Sequence, residues 1–239
     1  MQALILAGGK GTRLRPYTTV FPKPLMPVGD LPILEIILRQ LKRAGAKRII
    51  LAVGHMGQIF RAFFGEGDSL GLEISYSFEE HALGTAGPIG LVLDQLEEDF
   101  LVMNGDLLTT LPYRALFDEH CRAGSAATIA VYPREVKIDF GVVETEGSDL
   151  ARYREKPVFR FDVSMGVNVM KRNEVSRLLT PGAYLDIPDL MMKLRDSGKP
   201  VRCYRADCRW LDIGRVDDYE AATSIFDEHR AEFLPPDQE

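Results

Sequence analysis

Between residues 3 and 106 the chain alternates four short apolar runs with three segments of helical spacing, and this alternation restricts the fold more than any other feature. ALIL (3–6), RIILAV (48–53), LEISYSF (72–78) and DFLVMNGD (99–106) read as strands. LEIILRQLKRAG (34–45), which stops on a glycine, HMGQIFRAFFG (55–65) and AGPIGLVLDQL (86–96) read as helices between them. The pattern predicts an α/β fold: a Rossmann-like, doubly wound, mainly parallel mixed sheet with helices on both faces. After a helix near 112–123 the rhythm changes. SAATIAVYP (125–133) reads as a strand, FGVVETEGSDLARYREKP (140–157) as a hairpin turning at Glu146-Gly147-Ser148, and VSMGVNVMK (163–171) as another strand. A helix over 186–198 with Asp186 as N-cap, strands at 201–206 and 210–214, and a helix from Val216 to Glu232 follow. The tail over 233–239 is expected to fray. With no repeat, low-complexity tract or linker, residues 1–239 are read as a single domain.

The composition, 46% hydrophobic and 27% charged, is that of a globular protein. A net charge of −6 argues against a dedicated nucleic-acid binder. An acidic protein that binds phosphates must concentrate its cations locally. Cys121, Cys203 and Cys208 cannot all pair and show no CxxC spacing, which suggests a reducing compartment and no structural zinc. The apolar stretch in MQALILAGG is too short for a signal peptide, and nothing approaches the length of a membrane span. The expectation is a cytoplasmic protein with neither a membrane nor a nucleic-acid partner.

GGKGTRLRP (8–16) follows the first strand directly. In open α/β sheets ligands bind beyond the carboxyl ends of the strands, so this loop lies at the ligand edge. Its glycines let backbone N–H groups approach phosphate oxygens, with Lys10, Arg13, Arg15 and Lys23 to supply charge. It is not a P-loop, because no lysine is followed by serine or threonine. Nor is it a dinucleotide fingerprint, because Leu14 stands where the third glycine of GxGxxG should be.

LAGGKGTRLRP followed by FPKPLMPVGDLPIL (6–16 and 21–34) resembles the signature of the sugar-nucleotide pyrophosphorylases, the nucleotidyltransferases that join a nucleoside triphosphate to a sugar 1-phosphate and release pyrophosphate. Single-domain enzymes of the mannose-1-phosphate guanylyltransferase type are the nearest match, and the resemblance runs in the same order along nearly the whole chain. It implies a nucleotide-binding part over about 1–110 and a sugar-phosphate-binding part over about 111–232. It also implies that Leu6, Ala7, Gly8, Gly9, Gly11 and Thr12 wrap the triphosphate, that Arg13 stabilises the leaving pyrophosphate, and that Lys23 grips phosphate at the reacting centre. Asp106 in NGD and Asp212 in WLDIG each end a strand and match the family's metal-binding aspartates. Two carboxylates meeting a triphosphate are what Mg²⁺ needs. In REKP (154–157), Lys156 matches a lysine that binds the sugar-phosphate and Glu155 a glutamate that binds sugar hydroxyls, while Gly141 matches a glycine whose backbone faces the sugar. The attacking sugar-phosphate oxygen is ionised at neutral pH and needs no general base, so catalysis rests on positioning and charge neutralisation. None of His55, His81, His120 and His229 falls in a matching motif; all read as surface or helix residues.

SFEEHALGTAGPIG (77–90) bears on the base. Gly84 and Thr85 begin a loop suited to backbone contact with it, and Glu79 and Glu80 lie just before. A carboxylate can accept from guanine N1–H and N2–H₂ together, whereas uracil and thymine flank one N–H with carbonyls that repel it. The stretch resembles the EE-x-x-LGTAGP of mannose-1-phosphate guanylyltransferases, which favours GTP. In VSMGVNVM (163–170), Ser164 and Asn168 stand where many relatives carry the asparagine and tyrosine of N-x-G-x-Y, which leaves a heptose, glucose or hexosamine 1-phosphate open beside mannose 1-phosphate. The chain stops soon after this region, so no C-terminal β-helix with a second activity is expected; self-association is common in such enzymes. The rival readings are the same reaction with UTP, dTTP or CTP, a non-catalytic binder of nucleotide sugars, and an oxidoreductase, the last disfavoured by the failed GxGxxG test.

Overall fold

The computed structural model describes residues 1–9, 11–14, 16–54 and 56–235; Lys10, Arg15, His55 and residues 236–239 lie outside them. In chain order the elements are β1 (Gln2–Leu6), β2 (Pro27–Val28), β3 (Leu31–Pro32), α1 (Ile33–Arg43), β4 (Arg48–Val53), α2 (Gly57–Phe64), β5 (Glu73–Phe78), α3 (Gly87–Gly90), β6 (Asp99–Asn104) and β7 (Leu107–Thr109). They continue with α4 (Tyr113–Ala123), β8 (Ala127–Lys137), β9 (Val142–Glu146), β10 (Asp149–Arg154), β11 (Val158–Lys171), α5 (Arg172–Val175), α6 (Ile187–Asp196), β12 (Val201–Arg205), β13 (Trp210–Asp212) and α7 (Val216–Phe233). Among the described residues no helix is long and apolar enough to cross a membrane.

Seven strands form the main sheet in the order β12-β8-β11-β6-β1-β4-β5, with β11 running antiparallel to both its neighbours. The expected mainly parallel, doubly wound sheet is therefore present. Successive side chains of a strand point to opposite faces, and the buried strands use both. Ala3, Ile5, Ile49, Leu51, Leu101 and Met103 join the core under α1, α4 and α7, while Leu4, Ile50, Ala52, Phe100 and Val102 join a second core under α6. Helix α1 shows the matching pattern: Ile33, Leu34, Ile37, Leu38 and Leu41 are buried at i, i+4 spacing, Glu35 lies in the first turn, and Lys42 and Arg43 lie in the last.

After β1 the chain builds β4 and β5 on one side and then returns to place β6 on the other. The carboxyl end of β1 is thus a topological switch point, the usual place for a ligand crevice. Backbone bonds fix it there: Ala7 N–H donates to the Ala52 carbonyl at 2.8 Å and Gly105 N–H to that of Leu6 at 2.9 Å.

Several elements depart from the sequence reading. The helix expected over 86–96 is only the single turn α3 followed by a 3₁₀ turn at Leu93–Gln95. Two glycines weaken it, and Gly87 is required by proximity: a Cβ there would stand 2.7 Å from the Ala183 carbonyl oxygen, so residues 183–185 lie against this backbone. Strands β8 and β11 outrun their expected ends, pairing from Ser164↔Val131 out to Val158↔Lys137 as a two-stranded arm beyond the sheet. Pro133 does not stop β8 but sits inside it opposite Asp162. Phe233, read as the start of a frayed tail, is the last residue of α7 and is buried, its ring 5.8 Å from that of Phe226. His120, read as a surface or helix residue, is in α4 but fully buried.

Candidate active site

Beyond the carboxyl end of β1 lies a cavity of about 470 Å³ lined by Leu6, Ala7, Gly8, Gly9, Gly11, Thr12, Arg13, Lys23, Glu79, Gly84, Thr85 and Asp106. Every described residue of the expected nucleotide site is among them except Glu80, which is exposed and lines no part of the cavity. Gly11 adopts φ +58°, a conformation that favours glycine, and a Cβ there would stand 3.0 Å from the Thr18 methyl. Lys10 and Arg15 lie outside the described residues, so the cationic charge described here comes from Arg13 and Lys23.

Lys23 starts a 3₁₀ turn and is buried, with its ammonium in an ion pair with the Asp106 carboxylate. Asp212 reaches the same place from the other end of the chain: β13 pairs antiparallel with β7, setting Asp212 opposite Leu107, next to Asp106. Asp212 is an exposed residue, but partial desolvation of its carboxylate against the surrounding protein raises its pKa above the usual carboxylate value, and the nearby Asp106 charge adds to this against the opposing pull of Lys23 and Arg13. Among the described residues no three His, Cys, Asp or Glu side chains gather as a metal cluster. Two neighbouring carboxylates beside the glycine loop nonetheless have the donor chemistry that suits Mg²⁺, which takes one or two protein carboxylates and completes its shell with phosphate and water.

Glu79 is half-buried, and its carboxylate lies over the first glycine of the loop; a Cβ on Gly8 would be 2.7 Å from Glu79 Oε1. Burial raises its pKa, partly offset by the Leu83 N–H, which donates to Oε2 at 3.4 Å. The neighbouring turn is fastened to the start of α6. Thr85 N–H and Oγ1–H donate to Asp186 Oδ1 at 2.9 and 3.1 Å, and Ile187 N–H donates to Thr85 Oγ1 at 2.8 Å. A Cβ on Gly84, at φ +77°, would come within 2.5 Å of the Leu185 carbonyl oxygen. Asp186 occupies the N-cap position, but its side chain serves this turn and does not cap its own helix. Pro188, at the second helical position, has no N–H for it to accept.

A second cavity of about 250 Å³ shares Thr85 and Asn104 with the first and is lined further by Ser164, Asn168, Trp210 and Asp212. An irregularity in β11 shapes it. The pairing with β8 slips between Ser164↔Val131 and Asn168↔Ile129, so that residues 165–167 oppose Ala130 alone, a bulge of the kind found beside functional sites. Gly166, at φ +73°, lies within the bulge. Asn168 is only 1% exposed, yet neither atom of its amide has a hydrogen-bond partner among the described residues. An unpaired buried amide is costly unless a ligand meets it.

Gly141, Glu155 and Lys156 line neither cavity. They sit around the β9–β10 hairpin beside the arm, where Glu155 and Lys156 are exposed, so the structure does not bring them to Ser164 and Asn168. Lys156 has φ +42°, a strained backbone for a non-glycine residue. Asn104 and Trp210 were not singled out from sequence although they stand inside the quoted NGD and WLDIG stretches. Tyr184, which also lines the first cavity, carries no signal of its role in the sequence.

A family model described as nucleotidyl transferase matches residues 2–228. A UTP–glucose-1-phosphate uridylyltransferase of Synechocystis sp. is 34% identical over 238 residues, covering 92% of this chain and 61% of that protein. A mannose-1-phosphate guanylyltransferase of Mycobacterium tuberculosis is 33% identical over 227 residues, covering 92% and 62%. The chain thus spans about three fifths of the length of these curated relatives. Among solved structures, a Bacillus anthracis protein described as a candidate glucose-1-phosphate thymidylyltransferase, in complex with sucrose, superposes with a TM-score of 0.74 at 25% identity over 94% of each chain. HddC from Yersinia pseudotuberculosis, complexed with GMP-PN, superposes with a TM-score of 0.73 at 21% identity over 94% of this chain and 99% of that one, a likeness of fold.

Proposed function

This chain belongs to the nucleotidyl transferase family, and we propose that it condenses GTP with a sugar 1-phosphate to give a GDP-sugar and pyrophosphate. The observation that carries the reading is the union of two cavities through Thr85 and Asn104, one with a glycine loop and cations, the other with an unpartnered buried amide. A triphosphate suits the first. A hydroxyl-rich sugar suits the second, where Asn168 can donate and accept and Ser164 adds a hydroxyl. The two reactants would then meet at Asp106 and Asp212.

In this reading an oxygen of the sugar phosphate forms a bond to the α-phosphorus as the bond to the β-phosphate oxygen breaks, the electron pair leaving with pyrophosphate. No side chain need take a proton, since the nucleophile is already an anion. Arg13 and Lys23 neutralise charge on the phosphates and hold them in line. Asp106 and Asp212 would hold Mg²⁺, whose charge would stabilise the same phosphates. Gly141, Glu155 and Lys156 contribute only if the hairpin moves toward the sugar cavity.

Guanine is favoured by Glu79, the carboxylate in the nucleotide cavity. The Synechocystis relative is named for UTP, which supports uridylyl transfer as a second reading; there, Glu79 would face uracil carbonyls. The sugar is read as mannose 1-phosphate or a related hexose or heptose 1-phosphate. Pyrophosphate release, measured with Mg²⁺ across nucleoside triphosphates and sugar 1-phosphates, tests all of this. Release should need both substrates and be fastest with GTP, and Glu79→Gln should lower kcat/KM for GTP about 10- to 100-fold relative to UTP. Fastest release with UTP in the unaltered protein would replace the guanine assignment by the second reading. Nucleotide-sugar binding without release would make the chain a binding protein.

A further inference from the structure

A third cavity of about 530 Å³ lies on the far side of Arg13 and Asp212, and three guanidinium groups line it: Arg13, Arg134 and Arg215. They come from three separate elements: the loop after β1, the root of the β8–β11 arm, and the turn between β13 and α7. Elsewhere the chain neutralises many of its arginines: Arg48 meets Glu97, Arg154 meets Glu144, Arg205 meets Asp162, Arg209 meets Glu232 and Arg230 meets Asp30. None of the three at this cavity forms an ion pair with a described carboxylate, although two carboxylates are present. Asp218 is occupied as a helix cap, accepting from Arg215 N–H at 2.8 Å. Asp212 is the group assigned above to the metal. The wall behind them is stiff: Trp210 donates its indole N–H to the Met165 carbonyl at 3.1 Å and packs its ring 5.6 Å from that of Tyr132. Three guanidinium groups beside two carboxylates leave an excess of positive charge around this cavity, which favours a bound polyanion. The planar fork of each guanidinium matches phosphate oxygens two at a time.

We propose that Arg134 and Arg215, together with Arg13, form a release subsite for inorganic pyrophosphate. Arg13 lines both this cavity and the nucleotide cavity, so a pyrophosphate that leaves the α-phosphorus with its bonding electron pair need only exchange Lys23 for Arg134 and Arg215 to move out. In the reverse direction the same residues deliver pyrophosphate: one of its oxygens forms the bond to the α-phosphorus of the nucleotide sugar, and the sugar phosphate departs with the electron pair. The subsite rests on the nucleotidyl-transfer reading and deepens it.

Pyrophosphorolysis of the nucleotide sugar tests it, with the unaltered protein, Arg134→Gln, Arg215→Gln, the double variant and the double lysine variant. The double glutamine variant should raise KM for pyrophosphate tenfold or more, by about one charge-assisted contact per side chain. Its KM for the nucleotide sugar should move no more than about twofold, and the lysine variant should recover part of the loss. Pyrophosphate should also inhibit the forward reaction of the double glutamine variant less strongly. An unaltered KM for pyrophosphate in an active double variant would overturn the subsite alone, as would an equal rise in both KM values. No pyrophosphate exchange by the unaltered protein with any nucleotide sugar would instead overturn the reading beneath it.

Discussion

Arg13 and Lys23 divide the cationic work differently. Lys23 has a side chain only 7% exposed and is held by Asp106, so part of its charge is already spent on the protein. Arg13 has no such ion pair among the described residues, so in the proposed reaction its charge would be available to the leaving group. Arg13→Ala should therefore lower turnover about 10²- to 10³-fold, the cost of losing one preorganised charge-stabilising group. Steady-state kinetics with saturating triphosphate would show it, and turnover within a few-fold of the unaltered protein would remove Arg13 from the chemistry. Asp212 supplies a pH test. Its pKa is raised, first by partial desolvation and then by Asp106, so the folded protein holds this proton more tightly than the unfolded chain does. Protonation here favours the fold slightly in the window between the ordinary value near 4 and the raised one. Metal binding needs the ionised form, so affinity for Mn²⁺ used as a probe should fall as pH drops through that same window, while unfolding stability does not fall on account of this residue. Affinity that holds down to about pH 4 would show that Asp212 is not a ligand. The resemblance of the glycine loop, NGD and WLDIG to a family signature singled these positions out, and the structure places Arg13, Lys23 and Asp106 on one cavity with Asp212 beside them. The lysine–aspartate pair was not legible, since it joins residues 83 apart.

The bulge in β11 and the turn at 83–87 are where the sequence reading was least complete, for related reasons. VSMGVNVMK alternates well enough to be read as a strand, and it is one. No local pattern shows that the five residues 164–168 span only three residues of β8, because the mismatch belongs to the pair of strands. In the same way Asp186 reads as a helix cap from its own neighbours, and only the approach of Thr85 from 101 residues away gives its carboxylate another task. Gly166 reports on the bulge. A Cβ there would stand 2.7 Å from Asn104 Nδ2 in addition to the positive φ. Gly166→Val should cost on the order of 1–3 kcal/mol of stability and displace Asn104 from the junction of the two cavities. Urea unfolding should show the first effect. A rise in KM for the sugar 1-phosphate larger than that for the triphosphate should show the second. Equal rises in both would mean that the bulge supports the fold without shaping the sugar cavity.

At the scale of the whole molecule, the central parallel strands were legible because β1, β4 and β6 are buried on both faces as continuous apolar runs, with helices α1 and α2 in the connections to β4 and β5. The arm was not, since Arg134–Lys137 and Val158–Asp162 are largely exposed and lack the apolar contrast that marks a strand. Charge inside the molecule was also invisible. His120 looks like any polar residue on α4, but it is fully buried, with Nδ1 2.8 Å from Thr128 Oγ1 and Nε2 3.3 Å from Asp99 Oδ1. Its bond to Thr128 ties α4 to strand β8, and its other nitrogen faces Asp99 of β6 without a hydrogen bond among the described residues. Burial lowers its pKa; the Asp99 carboxylate opposes this, and Lys171, whose ammonium approaches the same Asp99 oxygen at 3.7 Å, adds to the lowering. With burial the larger effect, the folded state holds a neutral ring at pH values where the unfolded chain, titrating near 6.5, takes up a proton. The unfolded state then binds more protons, and stability rises with pH across that window and levels off above it. Urea unfolding at about pH 5.5 and 7.5 should show the protein less stable at the lower value. The difference should shrink in His120→Gln, which keeps an amide near both partners but does not titrate in this range. An equal pH difference in the two proteins would assign it to other groups and leave His120 as a neutral pin between helix and sheet.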